Sequence, residues 1–114
     1  MRAGDLNRRL SVLRQTAGET DAFNERALGW PVFISVWCSR TDVSDAERTR
    51  AAGLGERLTT RFVIRNSSEA REISRRDRIR CDGQLYDIVA IKRVDRDLGL
   101  EITANAAEAA PAQP

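Results

Sequence analysis

The chain contains no histidine, only two cysteines, a single lysine and no long apolar run. Without histidine, the commonest general base and the commonest metal ligand are both missing. Two cysteines are too few for a zinc cluster, and no histidine is present to complete one. Cys38 and Cys81 each sit inside a strand-like run and read as two small buried side chains; a disulfide is the lesser reading in a reducing compartment. No apolar segment is long enough to span a bilayer, so no membrane association is expected. The opening residues, Met1-Arg2-Ala3-Gly4-Asp5-Leu6, carry no apolar core of a signal peptide, and the product is expected in the cytoplasm of the cell that makes it.

Reactive constellations are equally sparse. Gly53-Leu54-Gly55 lacks the remainder of a phosphate-binding loop and does not join a strand to a helix. Asp42, Asp45 and Glu47 cluster where a helix begins, and there the helix dipole favours negative charge. Asp95 and Asp97 read as turn formers, and Ser11, Ser35 and Ser39 have no histidine to activate them. Catalysis is therefore not expected, and neither a cofactor nor a metal is implied.

What the chain does have is a period-two pattern. In the stretch from Arg78 to Ala104, Asp82-Gly83 separates two apolar runs, and this pair readily adopts the positive φ angles of a tight primed turn. Further on, Leu98, Leu100, Ile102 and Ala104 share one face, with Glu101 and Thr103 on the other. This predicts a three-stranded antiparallel meander. Upstream, residues 6–14 place Leu6, Leu10 and Val12 on one face and Leu13 on the other; Arg8 breaks the alternation and suggests a charged edge strand. Residues 15–29 read as a long polar loop of the kind that is usually functional or mobile.

Residues 30–40 are the most apolar segment. Val32, Ile34, Val36 and Cys38 line one face, and Phe33 and Trp37 lie on the other, so the strand is either central or part of an interface. Ser44-Asp45-Ala46-Glu47 is a capping-box pattern that opens a short helix, with Gly53 and Gly55 as stops. Such a helix has little apolar surface and needs something to dock on. Thr60, Phe62 and Ile64 then share a strand face, residues 66–76 read as a polar loop, and residues 105–114 have no large apolar side chain and read as a tail that is disordered or ordered by a partner. The expected fold is mainly β: a small antiparallel barrel of about six strands with one short inserted helix, over residues 1–104.

The order of these pieces is familiar. Met1-Arg2-Ala3-Gly4-Asp5-Leu6-Asn7-Arg8-Arg9-Leu10 resembles the opening of the phage head–tail joining family, the head-closure or stopper proteins of long-tailed phages and of gene-transfer particles. Trp30 and Val36-Trp37-Cys38-Ser39 are similar to that family's tryptophan-containing second strand, and residues 44–52 stand where it has a short helical segment. Thr60-Arg61-Phe62-Val63-Ile64-Arg65 resembles its next strand, and residues 77–88, ending Gly83-Gln84-Leu85-Tyr86-Asp87-Ile88, resemble its most recognisable block. The loop before Trp30 departs from the family in lacking a Tyr-Gly pair, and the tail beyond Ala104 is unmatched.

The resemblance implies a structural virion protein without cofactor or turnover. It implies a ring of copies, expected to be dodecameric, at the neck of the particle between the portal and adaptor rings and the tail terminator or tail tube proteins. Packaged DNA would pass through its channel and be contacted without sequence specificity. Candidate contacts with neighbouring subunits or partners are Trp30, Arg48, Arg50, Arg75 and Arg76. The alternative is a small nucleic-acid-binding barrel. It is motivated by seven arginines within residues 61–80 of a chain whose net charge is only +2; guanidinium groups pair well with phosphates. Against it, most aromatics (Phe33, Trp37, Phe62, Tyr86) fall at apolar strand positions suited to packing, and only Phe23 and Trp30 border a loop.

Overall fold

The computed structural model describes residues 3–15, 30–55 and 58–107. Its strands are β1 (Arg8–Leu13), β2 (Val32–Asp42), β3 (Thr60–Arg65), β4 (Arg78–Cys81), β5 (Gln84–Val94) and β6 (Gly99–Ala106), with helix α1 (Asp45–Gly53) between β2 and β3. They form a closed barrel in the order β1-β2-β3-β6-β5-β4, and every pairing is antiparallel. The mainly-β barrel with one inserted helix is thus the architecture expected from the pattern. Among the described residues no helix is long and apolar enough to cross a membrane.

The β4–β5 turn forms because Asp82 and Gly83 both take positive φ, 54° and 81°, the pair of angles a two-residue primed turn requires. At the β5–β6 tip, Asp95, Arg96 and Asp97 are all left-handed, with φ of 58°, 56° and 70°. That conformation costs a non-glycine residue about 1–2 kcal/mol, less for aspartate. Asn66 holds the tip from the end of β3: its side-chain amide donates to the Asp97 carbonyl at 2.8 Å and its backbone N–H donates to the Leu98 carbonyl at 2.9 Å. Asp95 and Asp97 are therefore turn residues, as their spacing indicates.

Alternation sends one face of every strand inward. Leu10 and Val12, Cys38, Phe62 and Ile64, Ile79 and Cys81, Tyr86 and Ile88, and Leu100, Ile102 and Ala104 make one core. Phe62 and Tyr86 meet edge to face, 5.0 Å between centroids, a geometry that adds about 0.5–1.5 kcal/mol to the area they bury. A bulge between Ile88 and Ala90 shifts the β5 register, so Ile91 rather than Ala90 packs on the core.

Several expectations need correction. β1 is not an edge strand: closure pairs it with both β2 and β4. Arg8 breaks the alternation because it sits at the rim, where it pairs with Asp82 at 2.6 Å. Leu13, assigned to the outer face, is buried there beside a bulge. Residues 66–76 are not merely a polar loop, because a 3-10 turn at Ala70–Glu72 drops Ala70 and Ile73 into the core. Leu98 is 61% exposed at the hairpin tip rather than aligned with Leu100. Strand β6 continues through Ala106, and the Ala107 N–H donates to the Leu85 carbonyl at 2.8 Å, so the boundary drawn after Ala104 falls inside the sheet. Most of the loop at 15–29, and the tail from residue 108 onward, lie outside the described residues.

Candidate interaction surfaces

One wall of the barrel carries aromatic rings under arginines. Arg9 and Trp37 are cross-strand partners on the outer face of β1 and β2. The guanidinium lies 4.9 Å from the indole centroid, and Trp37 remains 54% exposed. Next to them the hydroxyls of Ser11 and Ser35 lie 3.1 Å apart, and Ser11 is in register with the exposed Arg80 of β4. Toward the other end Arg14 covers Phe33 at 3.8 Å and Arg78 covers Trp30 at 4.8 Å. Arg78 also pairs with Asp87 at 3.2 Å. Contacts of this kind are worth about 0.5–1 kcal/mol at exposed sites.

Helix α1 joins β2 to β3 and is held against β3 by charged contacts. Ser44 caps the helix by accepting the Glu47 N–H at 3.2 Å. Only half of the capping box forms, because the Glu47 carboxylate turns to the sheet instead and accepts two hydrogen bonds from Arg61 of β3, one of them at 2.9 Å. Hydrogen bonding to Arg61 holds the Glu47 carboxyl below its usual range, and the same contact raises Arg61. The charges continue to Glu101, 3.8 Å from Arg61 and 3.4 Å from Lys92. Ala51, the buried residue of the helix, provides its apolar contact. This chain of charges compensates for the missing apolar face.

The two ends of the barrel differ. At the end shared by the start of β1, the end of β2 and the start of β3, Asp82 bridges Arg8 and Arg40, and Arg40 lies 3.8 Å from Asp42. At the opposite end Arg14 forks onto Asp77, Nε and Nη2 each donating at 3.0 Å, and also donates to the Glu72 carbonyl at 2.8 Å. The hydrogen bond to Asp77 raises the Arg14 pKa. Asp77 accepts the Ser74 N–H as well, at 2.9 Å. This knot fixes the turn that presents Arg75 and Arg76 to solvent. A cavity of about 160 Å³ near that end is lined by Ala70, Arg71, Ile73, Ile91, Lys92, Arg93 and Leu100.

The five candidate contacts do not form one patch. Arg48 and Arg50 are exposed on α1, Arg75 and Arg76 are exposed on the far turn, and Trp30 is half-buried under Arg78 on the aromatic wall. The pair that does form a continuous exposed feature, Trp37 with Arg9, was not among them. Its signal was present in the two-faced apolar pattern of residues 32–38. Cys38 and Cys81 are buried free thiols that face each other in the core. Burial pushes Cys38 up to about 12 and also raises Cys81. Among the described residues no group of three or more His, Cys, Asp or Glu side chains could hold a metal ion.

The described residues thus build a barrel distinguished by its outer walls. Comparison with known sequences assigns the class: the phage head completion protein family matches residues 1–107, and the chain belongs to that family. No curated protein matches it. Among solved structures, the solution structure of protein SF1141 from Shigella flexneri 2a is similar at 22% identity with a TM-score of 0.68, covering 96% of this chain and all of that one. A chain of the virion of a native gene transfer agent particle is similar at 23% identity with a TM-score of 0.55, covering 91% of this chain and 97% of that one. At these identities the two structures support the fold.

Proposed function

We propose that this protein is the head-closure, or stopper, component of a tailed phage or phage-like gene-transfer particle. Copies of it form a ring, with twelve members as the working number, at the neck between the portal and adaptor rings and the tail. It acts by shape and contact, holding the filled head shut and offering the tail a docking surface, with packaged DNA touched only non-specifically in the channel. The observation that carries this reading is the match to the head completion family over nearly the whole chain. The barrel supports it with two chemically different surfaces, the aromatic wall and the helix-bearing wall, since head-to-tail contacts use two different surfaces of each copy. The contacts suggested by the sequence distribute over three surfaces: Arg48 and Arg50 on the helix wall, Trp30 on the aromatic wall, and Arg75 and Arg76 on the end that meets a neighbouring ring.

Deletion of the gene from a producing host tests this. Negative-stain microscopy is expected to show packaged or leaking heads without tails, and supplying the gene in trans is expected to restore whole particles. Normal infectious particles from the deletion strain would refute it.

A further inference from the structure

We infer that the unpaired edge of β5, with the cavity beside it, receives an extended acidic segment of another protein of the particle, which adds a strand to the sheet and seats one large apolar side chain in the cavity. The inference rests on the head-completion reading and goes further by naming a surface on which a partner docks and the chemistry of the segment that fits it.

The edge arises from unequal strand lengths. β5 has eleven residues and β4 has four. β4 pairs with β5 only from Gln84 to Asp87, whereas β6 stays with β5 as far as Val94. From Ile88 to Val94 the side of β5 away from β6 therefore has no strand against it among the described residues. No backbone hydrogen bond from a described turn or loop reaches that stretch either. A row of unpaired N–H and C=O groups is a template for a further strand. Lys92 and Arg93 guard this edge against a basic strand and admit an acidic one.

The cavity lies across the same edge. Ile91 pairs with the buried Ile102, and Arg93 with the buried Leu100, so these two share the inner face; Lys92 pairs with Glu101 on the outer face. All three β5 residues line the cavity. Successive strand residues point to opposite faces, so a hollow that touches all three spans the rim of the strand. β6 occupies the other rim, which leaves the unpaired one. The facing side is the 3-10 turn at Ala70–Glu72, and Ala70, Ile73, Ile91 and Leu100 make the lining apolar at its base. At about 160 Å³ the cavity is of a size that admits a benzene ring, and hence one leucine, isoleucine or phenylalanine side chain.

Charge selects what flanks that side chain. Arg71, Lys92 and Arg93 line the cavity, and none of the neighbouring acids Glu69, Glu72, Asp95 and Asp97 does. The three cations are weakly engaged within the chain. Arg71 donates to the neutral Asn66 side chain at 3.1 Å, Lys92 is 70% exposed and 3.4 Å from Glu101, and the exposed Arg93 has no side-chain partner among the described residues. Cations around an apolar hollow favour a carboxylate beside an apolar residue. DNA fits less well: its phosphates would meet the cations but leave the apolar base unfilled, and its backbone has no N–H to offer the strand edge.

The test uses the full-length protein in a particle-producing host, with a benzoylphenylalanine photo-cross-linker substituted for Ala90, an exposed residue of this edge whose replacement leaves all three cations in place. Illumination of purified particles is expected to join this chain to a different particle protein, at a peptide in which an aspartate or glutamate adjoins a leucine, isoleucine or phenylalanine. Adding R71E/R93E, with folding checked by circular dichroism, is expected to lower both that adduct and the yield of tailed particles by about tenfold or more, because like charges then oppose docking. R71K/R93K keeps the charge and is expected to leave both near the wild-type level. Adducts only with DNA, with a second copy of this chain or with a segment lacking acidic residues overturn the inference, as does the absence of any adduct. An undiminished adduct in folded R71E/R93E overturns it too. These outcomes leave head completion standing if the gene deletion still gives tailless heads. A deletion without effect on the particles overturns both.

Discussion

Replacing Arg14 with alanine removes more than a charge. The guanidinium makes two hydrogen bonds to Asp77 and one to the Glu72 carbonyl, and it covers the Phe33 ring. Its loss leaves the Asp77 side chain, only 2% exposed, with the Ser74 N–H as its remaining partner among the described residues. Breaking a buried ion pair from one side costs about 3–5 kcal/mol. Arg14 itself is 38% exposed, so water attenuates the pair, and about 3 kcal/mol is the appropriate figure. With a urea m-value near 1.5 kcal/mol/M, typical of a domain this size, the midpoint falls by about 2 M. Asp77→Ala is expected to cost about the same, and the R14A/D77A double variant only about 4 kcal/mol, a coupling of about 2 kcal/mol. Urea unfolding followed by circular dichroism measures all three. A midpoint shift below about 0.4 M for R14A, or strictly additive losses in the double variant, would refute the claim that this knot ties the start of β4 to the end of β1.

Other consequences are checked more simply. Glu47 has its folded pKa depressed by Arg61, so its contribution is present above the unfolded carboxyl pKa and lost as pH falls through the folded one; E47Q should flatten the acid limb of the stability profile relative to wild type. Cys38 is shifted from 9.0 to about 12, so the stability it contributes is complete below pH 9.0 and declines as pH rises from there toward 12. The native protein should resist thiol-specific labelling at neutral pH, whereas the urea-unfolded chain should take two labels. Gly83 has φ of +81° with open space around its α-carbon, so G83A should cost about 1 kcal/mol through the backbone alone, read as a small fall in the thermal midpoint without change in the folded spectrum.

The barrel was legible because its determinants are local. Period-two patterning marked Leu10, Val12, Phe62, Ile64, Leu100 and Ile102 as core, Asp82-Gly83 dictated its own turn, and Ser44 announced the helix. Three features were hidden for physical reasons. Closure depends on β1 meeting β4, some seventy residues away, and no local signal shows that Arg8 answers Asp82 across that gap. Bulges at Leu13 and in β5 move side chains from one face to the other without a mark in the alternation. Ala70 and Ile73 are two apolar residues in a polar stretch, and only the 3-10 turn aligns them with the core. The interaction surface was half legible: the doubly apolar β2 pointed to Trp37, but the pairing that sets Arg9 over it, and the ion pairs that seat α1 on β3, required the barrel to be formed.

The most direct test of the whole account is a cryo-electron-microscopy reconstruction of the neck of particles that carry this protein. It should resolve a ring of these barrels between portal and tail. Particles in which the chain is absent, or occupies the shell or the tail tip instead of the neck, would contradict it.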